Sequence, residues 1–345
     1  MTKLASSEPP TGRQTPQQGA LSSIDRVARL RLRAAWMYYI EEMTQNEIAQ
    51  CLGIGRVTVT RLLSDARQRN EVRFQVGGGV PECIALEREL EVAFGLREAV
   101  VAPMSDARAD ATLVVSAATG QFMAEFLKPS MRLGVGWGRT LLESLQYIPE
   151  LSVSNLSIVS LLGGITKVKR FNPSEFAWRF SDLLQAECYL MTAPAILDSA
   201  RTKQTLIEKC GLREVFERTK TLDAILVSVG ELRPDATAYR DGFVADQLRR
   251  EMIDAGAVGE VLFHYYRANG KLVEHPLRDC VMNPDLDILR SVPQRIIASG
   301  GIHKAAALRG AIKLLRPTVL ITDEDAAREL LLAESGAHED ARSSA

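Results

Sequence analysis

The stretch TQNEIAQCLGIGRVTVTRLL, residues 44–63, decides the fold at the front of this chain. Thr44, followed three residues later by Glu47, forms a capping box in which both side chains satisfy backbone N–H groups at a helix start. Gly53 stands where this helix must end in the left-handed conformation that glycine favours. After a short turn, apolar residues recur at helical spacing at Val59, Leu62 and Leu63. The pattern predicts two short helices joined by a tight turn.

The outer face of the second helix carries the residue types that read DNA. Arginine offers a bidentate fork to guanine, and threonine offers a hydroxyl and a methyl group to base edges or phosphates. Ala49 on the first helix is small enough for two helices to cross closely. A helical hairpin within another core is the alternative, but these features stand in the order of a helix-turn-helix. We therefore expect duplex DNA to contact Arg56, Val57, Thr58, Thr60 and Arg61.

The surrounding residues support a small basic domain. Residues 24–40 form a helical stretch whose early turns carry Arg26, Arg29, Arg31 and Arg33. Residues 1–75 hold eleven basic and seven acidic side chains, a net charge of +4, whereas the whole chain carries −1. Positive charge is thus concentrated where phosphates would be met. Residues 71–76 (EVRFQV) alternate polar and apolar side chains, which predicts a short strand or wing.

Composition limits the remaining possibilities. With 345 residues, 46% hydrophobic and 25% charged, the chain has the balance of a soluble globular protein of two or three domains. Its five scattered cysteines fit neither a disulfide framework nor a zinc site, and we expect no metal and no cofactor. No run approaches eighteen apolar residues and the start lacks a signal peptide, so a cytoplasmic protein without membrane attachment is expected. Residues 1–20 and 333–345 are predicted to be disordered.

Beyond the predicted helix-turn-helix domain, residues 21–76, the chain changes character. The segment 77–95 is predicted to be a glycine-rich linker followed by an oligomerisation helix that begins at Pro81. Residues 96–332 then alternate short apolar runs with amphipathic helices, which predicts a doubly wound, mostly parallel, Rossmann-like α/β domain. The predicted strands are 99–102, 131–135, 156–162, 188–192, 223–229, 295–298 and 318–321, with helices at 106–127, from 140 and from 325.

Ligands of such sheets bind beyond the carboxyl ends of the strands, and glycines mark four of those ends. The run GWGRT, residues 136–140, brings backbone N–H groups, an arginine and a hydroxyl together, which favours a phosphate or another polyoxygenated group. Glycines at strand ends also serve tight turns, so the other strand ends matter to the argument. The candidates are Gly136, Gly138, Arg139 and Thr140 in the first loop, and Gly163, Gly164, Gly230 and Lys304 at or after three further strand ends.

Two further side chains suit hydroxyl groups. Glu260 and Asn172 carry the carboxylate and the amide that commonly bind sugar hydroxyls, although either could be an ordinary surface residue. Lys304 could likewise be a simple surface lysine. Together with the glycine loops, these residues predict an effector pocket.

The chain resembles the SorC family of bacterial sugar-responsive transcriptional regulators from about residue 25 to residue 332. Four segments in this order carry the resemblance: RAAWMYYIEEMTQNEIAQCLGIGRVTVTRLL at 33–63, LGVGWGRTL at 133–141, GAVGEV at 256–261 and SGGIHKAAALRGAI at 299–312. The resemblance implies a helix-turn-helix domain and an effector domain similar to sugar-phosphate isomerases and deaminases. It also implies a tetramer that responds to a sugar, a polyol or their phosphates.

The same resemblance assigns roles in the effector domain. It implies that Gly138, Arg139 and Thr140 form an anion loop, that Gly164 and Asn172 line the pocket, and that Glu260 and Lys304 face the effector. Arg139 departs from the small or hydroxyl residue often found at its position. The identity and charge of the effector, the operator sequence, and the choice between repressor and activator stay open.

An enzyme is the alternative function. A carboxylate such as Glu260 near a sugar held by Lys304 could move a proton, as in a sugar-phosphate isomerase or deaminase fused to a DNA-binding module. The four histidines, at 264, 275, 303 and 338, show no spacing typical of an Asp/His relay. We therefore expect a regulator of a carbohydrate or polyol catabolic operon and no catalytic residues.

Overall fold

The computed structural model describes residues 18–69, 71–72, 81–105, 110–149, 151–165, 172–240 and 242–343, with side chains described between 26 and 335. The chain folds into two compact units that divide between residues 74 and 75. No peptide bond in the described part of the chain is cis.

The first unit is a three-helix bundle of Gln18–Tyr39 (α1), Gln45–Leu52 (α2) and Arg56–Gln68 (α3). Helices α2 and α3 form the predicted helix-turn-helix, and α1 packs against both. Its small core takes side chains from all three helices: Ala34, Ala35, Met37, Ile48, Val59, Leu62, Leu63 and Ala66.

The second unit is an α/β fold. Its helices α4 to α14 are Pro81–Phe94, Ala111–Phe126, Arg139–Ser144, Pro173–Leu184, Ala200–Lys209, Arg213–Thr219, Thr237–Arg240, Asp246–Asp254, Leu286–Ser291, Ala305–Leu315 and Glu324–Ser343. Its strands β1 to β9 are Glu98–Ala102, Arg132–Val135, Ser157–Ser160, Glu187–Tyr189, Ala224–Val227, Gly259–Val261, His264–Tyr266, Gln294–Ala298 and Val319–Asp323.

Seven of these strands form one parallel sheet in the order β1-β9-β8-β5-β2-β3-β4. The short apolar runs become strands because both faces are covered: on β5, Ile225 and Val227 join one core while Ala224 and Leu226 join the other. The chain adds β3 and β4 on one side of β2 and then returns to place β5 on the other side. The carboxyl ends of β2 and β5 therefore flank a topological switch point, where ligands of such sheets bind.

Helix α4 covers the β1 edge of the sheet. The Val101 backbone N–H donates to Glu87 Oε1 at 2.9 Å, and the Ala99 N–H donates to Glu91 Oε1 at 3.0 Å. Two carboxylates on one helix thus satisfy donors that an edge strand leaves unpaired. Helix α4, which the sequence predicts as an oligomerisation helix, thus packs on the sheet of its own unit. Val92, on the outer side of α4, is 86% exposed.

Strands β6 and β7 form a separate antiparallel hairpin. Its two-residue turn consists of Leu262 and Phe263, with φ of 54° and 60°. Such turns favour glycine and asparagine, and large apolar residues pay a conformational cost in the left-handed region. Both side chains are buried, so packing holds the turn.

Two sequence expectations are corrected. Residues 333–343 were expected to be disordered but continue α14, because its first turns are anchored by the buried Ala326, Ala327 and Leu330 and the following Ala and Glu residues favour helix. Glu71 and Val72 form a bend, since Glu71 pairs with α1, so the predicted strand does not begin there. Residues 73–76, the rest of the predicted strand, lie outside the described residues. Residues 1–17 of the predicted disordered start also lie outside them, whereas residues 18–20 begin α1 and are helical.

Candidate functional site

The capping box at the start of α2 forms as the sequence predicts. The Thr44 backbone N–H donates to Glu47 Oε2 at 2.8 Å, and the Glu47 N–H donates to Thr44 Oγ1 at 3.3 Å. Hydrogen bonds from Thr44 lower the pKa of the Glu47 carboxyl. Gly53 ends the helix with φ of 63°, in the left-handed region. These local bonds fix where α2 begins and ends.

Helix α3 presents a polar face to solvent. Val57 is 84% exposed, Arg56, Thr60 and Arg61 are exposed, and Thr58 is half-buried. The Thr60 hydroxyl donates to Gln45 Oε1 at 2.9 Å, which ties the outer face of α3 to the start of α2. The five residues predicted to contact DNA therefore stand on one helix whose opposite side is buried.

Arg31, one of the arginines expected to meet phosphates, is buried within its unit. It is 7% exposed, and its guanidinium donates to both carboxylate oxygens of Glu71. This pairing holds the pKa of Glu71 below its usual range. Arg31 thus packs α1 against the segment after α3 and is not available to DNA.

A cavity of about 420 Å³ opens beyond the carboxyl ends of β2, β5 and β8. It lies at the switch point described above. Its lining is rich in charged and polar groups, which suits a small hydroxylated ligand better than an apolar one. Of the predicted effector residues, the lining includes Gly138, Arg139, Thr140, Gly230, Glu260 and Lys304. We call this cavity the cleft.

The loop after β2 turns at Gly138, whose φ of 135° is a conformation that other residues rarely adopt. Arg139 follows at the start of α6 and donates to Asp110 Oδ1 and Oδ2 at 2.7 and 2.6 Å, and to the Thr112 hydroxyl. Burial raises the pKa of Asp110, but hydrogen bonds from Thr112 and the charge of Arg139 outweigh it and leave that pKa lowered. The arginine of the predicted anion loop is therefore paired with a carboxylate.

Glu260 on β6 reaches the cleft through a gap left by a glycine. Gly230 and Glu260 exchange two backbone hydrogen bonds of 2.9 Å, and a Cβ on Gly230 would lie 1.9 Å from Glu260 Oε1. The other oxygen, Oε2, accepts the Phe263 N–H at 2.7 Å. The carboxylate is 4% exposed, and burial raises its pKa to about 7, against smaller lowering effects of the Phe263 hydrogen bond and the Lys304 charge.

Lys304 lies at the junction of a 3₁₀ turn, Ile302–Lys304, and α13. Its Nζ is 3.4 Å from the Val229 carbonyl oxygen at the end of β5. Burial lowers the pKa of Lys304, and the nearby carboxylate of Glu231 opposes that shift. The lysine thus points toward the residues that follow β5 and lines the cleft.

Four predicted effector residues lie outside the lining of the cleft as the described residues form it. Gly136 packs beneath the loop, where a Cβ would lie 3.1 Å from the Leu262 side chain. Gly163 and Gly164 lie against the backbone of residues 193–195. Asn172 caps α7, where its Oδ1 accepts the Ser174 N–H at 3.1 Å.

Sequence reasoning missed several residues of the cleft. Asp110 and Glu231 are carboxylates from loops far apart in sequence, and Trp137 is a large aromatic between two glycines. Glu231 Oε1 lies 3.3 Å from His303 Nε2, while Glu231 Oε2 is buried without a hydrogen-bond partner among the described residues. The positions of Trp137 after β2 and of Glu231 after β5 were a usable signal, since every residue that follows a central strand is a candidate lining residue.

A larger, more open cavity of about 880 Å³ lies elsewhere on this unit, beside α8, β7 and α12. The buried His264 borders it, with Nε2 3.0 Å from the Pro284 carbonyl oxygen, and burial lowers the pKa of His264 to about 4. This imidazole is neutral and structural at physiological pH. The cleft at the switch point is the better candidate site, because its lining comes from several strand ends.

Neither a metal site nor a membrane-spanning helix is found among the described residues. No three His, Cys, Asp or Glu side chains in this part of the chain come together as ligands for a metal ion. Among the helices described, none is long and apolar enough to cross a lipid bilayer.

The chain matches two family models, “Putative sugar-binding domain” over residues 79–332 and “Sigma-70, region 4” over residues 35–69. Erythritol catabolism regulatory protein EryD of Brucella abortus is 30% identical over 89% of this chain and 98% of its own. Transcriptional regulator LsrR of Klebsiella pneumoniae subsp. pneumoniae is 31% identical, over 92% and 95% respectively. The crystal structure of full-length Sorbitol Operon Regulator SorC from Klebsiella pneumoniae has a TM-score of 0.67 and 26% identity, and the match covers 89% of this chain and 99% of that one.

These relatives are transcriptional regulators, so the enzyme alternative finds no support among them. The sugar-binding model spans the unit that holds the cleft, and the other model spans the unit that holds α2 and α3. The chain belongs to the SorC family of DNA-binding, sugar-responsive transcriptional regulators.

Proposed function

We propose that this regulator controls a carbohydrate or polyol catabolic operon, and that a sugar, polyol or sugar phosphate in the cleft sets its affinity for operator DNA. The observation that carries this proposal is the cleft itself. Polar groups from the ends of three strands converge there on about 420 Å³, in the domain that matches the sugar-binding model. A relative named for erythritol catabolism and another named for a sorbitol operon support a polyol or sugar.

Operator contact is proposed for the outer face of α3. Arg56, Thr60 and Arg61 are exposed there, together with Val57 and the half-buried Thr58. Arginine and threonine on one exposed helix face suit the edges of bases in a major groove. The buried side of the same helix holds it rigidly on the bundle.

Effector contact is proposed for Gly138, Arg139, Thr140, Gly230, Glu260 and Lys304. Gly136, Gly163, Gly164 and Asn172 would instead shape the strand ends that hold these groups in place. Trp137 and Glu231 join the proposed site because both line the cleft.

We further propose that the protein is a cytoplasmic homo-oligomer of four copies. Helix-turn-helix proteins bind two half-sites as dimers, so at least two copies would be needed on one operator. The exposed outer side of α4, with Val92 86% and Ile84 39% exposed, offers an apolar surface for a second copy. Light scattering on the purified chain would give the number of copies.

The test is operator binding by the purified chain. Fluorescence anisotropy on labelled fragments from the regulatory DNA of its own gene cluster should find a fragment bound at low ionic strength, with affinity that falls steeply as salt rises. A panel of sugars, polyols and sugar phosphates should contain a compound that changes this affinity by about 5- to 150-fold. A scrambled fragment of equal length is the control. Failure to prefer any regulatory fragment over the scrambled one would overturn the proposal.

A further inference from the structure

We propose that the effector of this chain is an uncharged polyhydroxylated compound, whose hydroxyl groups donate to the carboxylates of Glu231 and Glu260, and not a phosphate ester. This inference rests on the proposed function, because it names the chemical class that the cleft accepts. It also gives Glu231 a role as a specificity residue.

Acidic and basic side chains line the cleft in equal numbers. The acidic side chains are Asp110, Glu231, Asp235 and Glu260, and the basic ones are Arg139, Arg233, Arg240 and Lys304. A phosphate monoester brings a charge of about −1.5 to −2 at neutral pH. A site for such a group needs an excess of positive charge, and this lining does not provide one.

Two of the three arginines that line the cleft are paired with carboxylates of the protein itself. Arg139 donates to both oxygens of Asp110, at 2.6 and 2.7 Å. Arg233 pairs with Asp235, with guanidinium-to-carboxylate distances of 2.9 and 3.1 Å. A phosphate would have to displace these carboxylates or lie beside them, and both arrangements disfavour a second anion.

The glycine loop that follows β8, residues 299–301, is also occupied by a carboxylate. The Gly301 backbone N–H donates to Asp323 Oδ2, and the buried Asp323 also accepts the Ala326 N–H at 3.0 Å. A Cβ on Gly300 would lie 2.2 Å from the same Asp323 oxygen. An internal anion therefore uses a backbone donor of the kind that glycine loops offer to phosphates elsewhere.

The cleft instead offers hydrogen-bond acceptors. Glu231 Oε2 is buried and has no hydrogen-bond partner among the described residues, although Oε1 of the same carboxylate lies 3.3 Å from His303 Nε2. Such an oxygen loses its interaction with water without a replacement, so a donor in the cleft restores it. Glu260 adds a second buried carboxylate, which accepts hydrogen bonds from hydroxyl groups when it is ionised. A hydroxyl supplies the donor, whereas a fully ionised phosphate cannot.

The experiment compares matched pairs of compounds by isothermal titration calorimetry on the full chain. The pairs are erythritol with erythritol 4-phosphate, ribitol with ribitol 5-phosphate, and D-glucitol with D-glucitol 6-phosphate. We expect at least one alditol to bind at least tenfold more tightly than its own phosphate. Equal or tighter binding of the phosphates overturns the inference and leaves the proposed function standing. Binding of none of the six compounds also overturns it, and the operator measurement then decides the proposed function separately.

Two variants test the role of Glu231. Glu231→Gln should lose at least fivefold in affinity for the alditol, while its affinity for the phosphate stays the same or rises because a negative charge is gone. Glu334→Gln is the matched control, since Glu334 Oε2 is likewise buried without a partner among the described residues but lies on α14 and does not line the cleft. It should bind both compounds like the unmodified chain. An equal loss for both compounds in Glu231→Gln would show a structural role only and would contradict the assignment.

Discussion

At the residue scale, Glu260 shows how one side chain depends on its surroundings. The missing Cβ of Gly230 gives its carboxylate room, and the Phe263 N–H binds one of its oxygens. Burial keeps a proton on this carboxyl at pH values where an exposed glutamate has lost it, which is why its pKa rises to about 7. Its protonation state therefore changes near neutral pH.

The raised pKa of Glu260 predicts a pH-dependent effect of Glu260→Gln. The folded chain holds the proton more tightly than the unfolded chain, so the stability that the protonated group provides below about pH 4.5 is lost as pH rises to about 7. The glutamine variant does not titrate. Urea unfolding at pH 5 and pH 8 should therefore show the variant gaining up to about 3 kcal/mol relative to the unmodified chain. A difference that stays the same at both pH values would contradict this account.

Arg61 carries the residue-scale prediction for DNA. If its guanidinium reads a base edge, Arg61→Ala should weaken operator binding by about 1 to 3 kcal/mol, measured by fluorescence anisotropy. Arg213→Ala is the control, because Arg213 is also exposed but lies at the start of α9, in the other folded unit. Unchanged affinity in Arg61→Ala would remove that residue from the interface.

At the element scale, the start of α2 depends on two side chains that bond reciprocally. Thr44→Ala removes the hydroxyl that accepts the Glu47 N–H and leaves a helix-start donor without its partner. We expect a loss of about 1 kcal/mol in the free energy of unfolding, measured with urea on the full chain. Gln50→Ala, at an exposed position later in α2, should change stability by less than half as much. Equal effects of the two substitutions would show that the cap does not contribute.

Local signals explain which elements could be predicted. The capping box and Gly53 act within a few residues, so they predict where α2 begins and ends. The apolar runs predict the strands of the sheet, because both faces of the sheet are buried. The hairpin of β6 and β7 escaped prediction because Leu262 and Phe263 lack the residue types that mark such a turn. The pairing of Arg139 with Asp110 and the burial of Arg31 depend on partners 29 and 40 residues away, which spacing along the chain does not reveal.

At the scale of the whole molecule, helix α3, proposed to contact DNA, and the cleft belong to different folded units. Regulation therefore requires a coupling free energy between two sites, typically 1 to 3 kcal/mol. An effector produces such coupling only if it binds the operator-competent and the incompetent state with different affinities.

Lys304→Ala tests this coupling. The substitution removes an ammonium donor from the cleft, beside the Val229 carbonyl, and should reduce the effector-induced change in operator affinity by at least half. Operator affinity without effector, measured by anisotropy with the same fragment, should stay within about twofold, because α3 lies in the other unit. A full effector response in the variant would show that Lys304 does not take part.

Trp137 also makes the cleft visible by spectroscopy. Its indole is 7% exposed, packs against Phe243 and Phe263 with ring centroids 5.8 and 5.6 Å apart, and lines the cleft, whereas Trp36 and Trp178 are 59% and 57% exposed. A soluble collisional quencher such as iodide quenches the fluorescence of the two exposed indoles first. The emission that remains comes mainly from Trp137. The protein thus contains its own fluorophore at the point where the effector would arrive, and occupancy can be followed in unlabelled material.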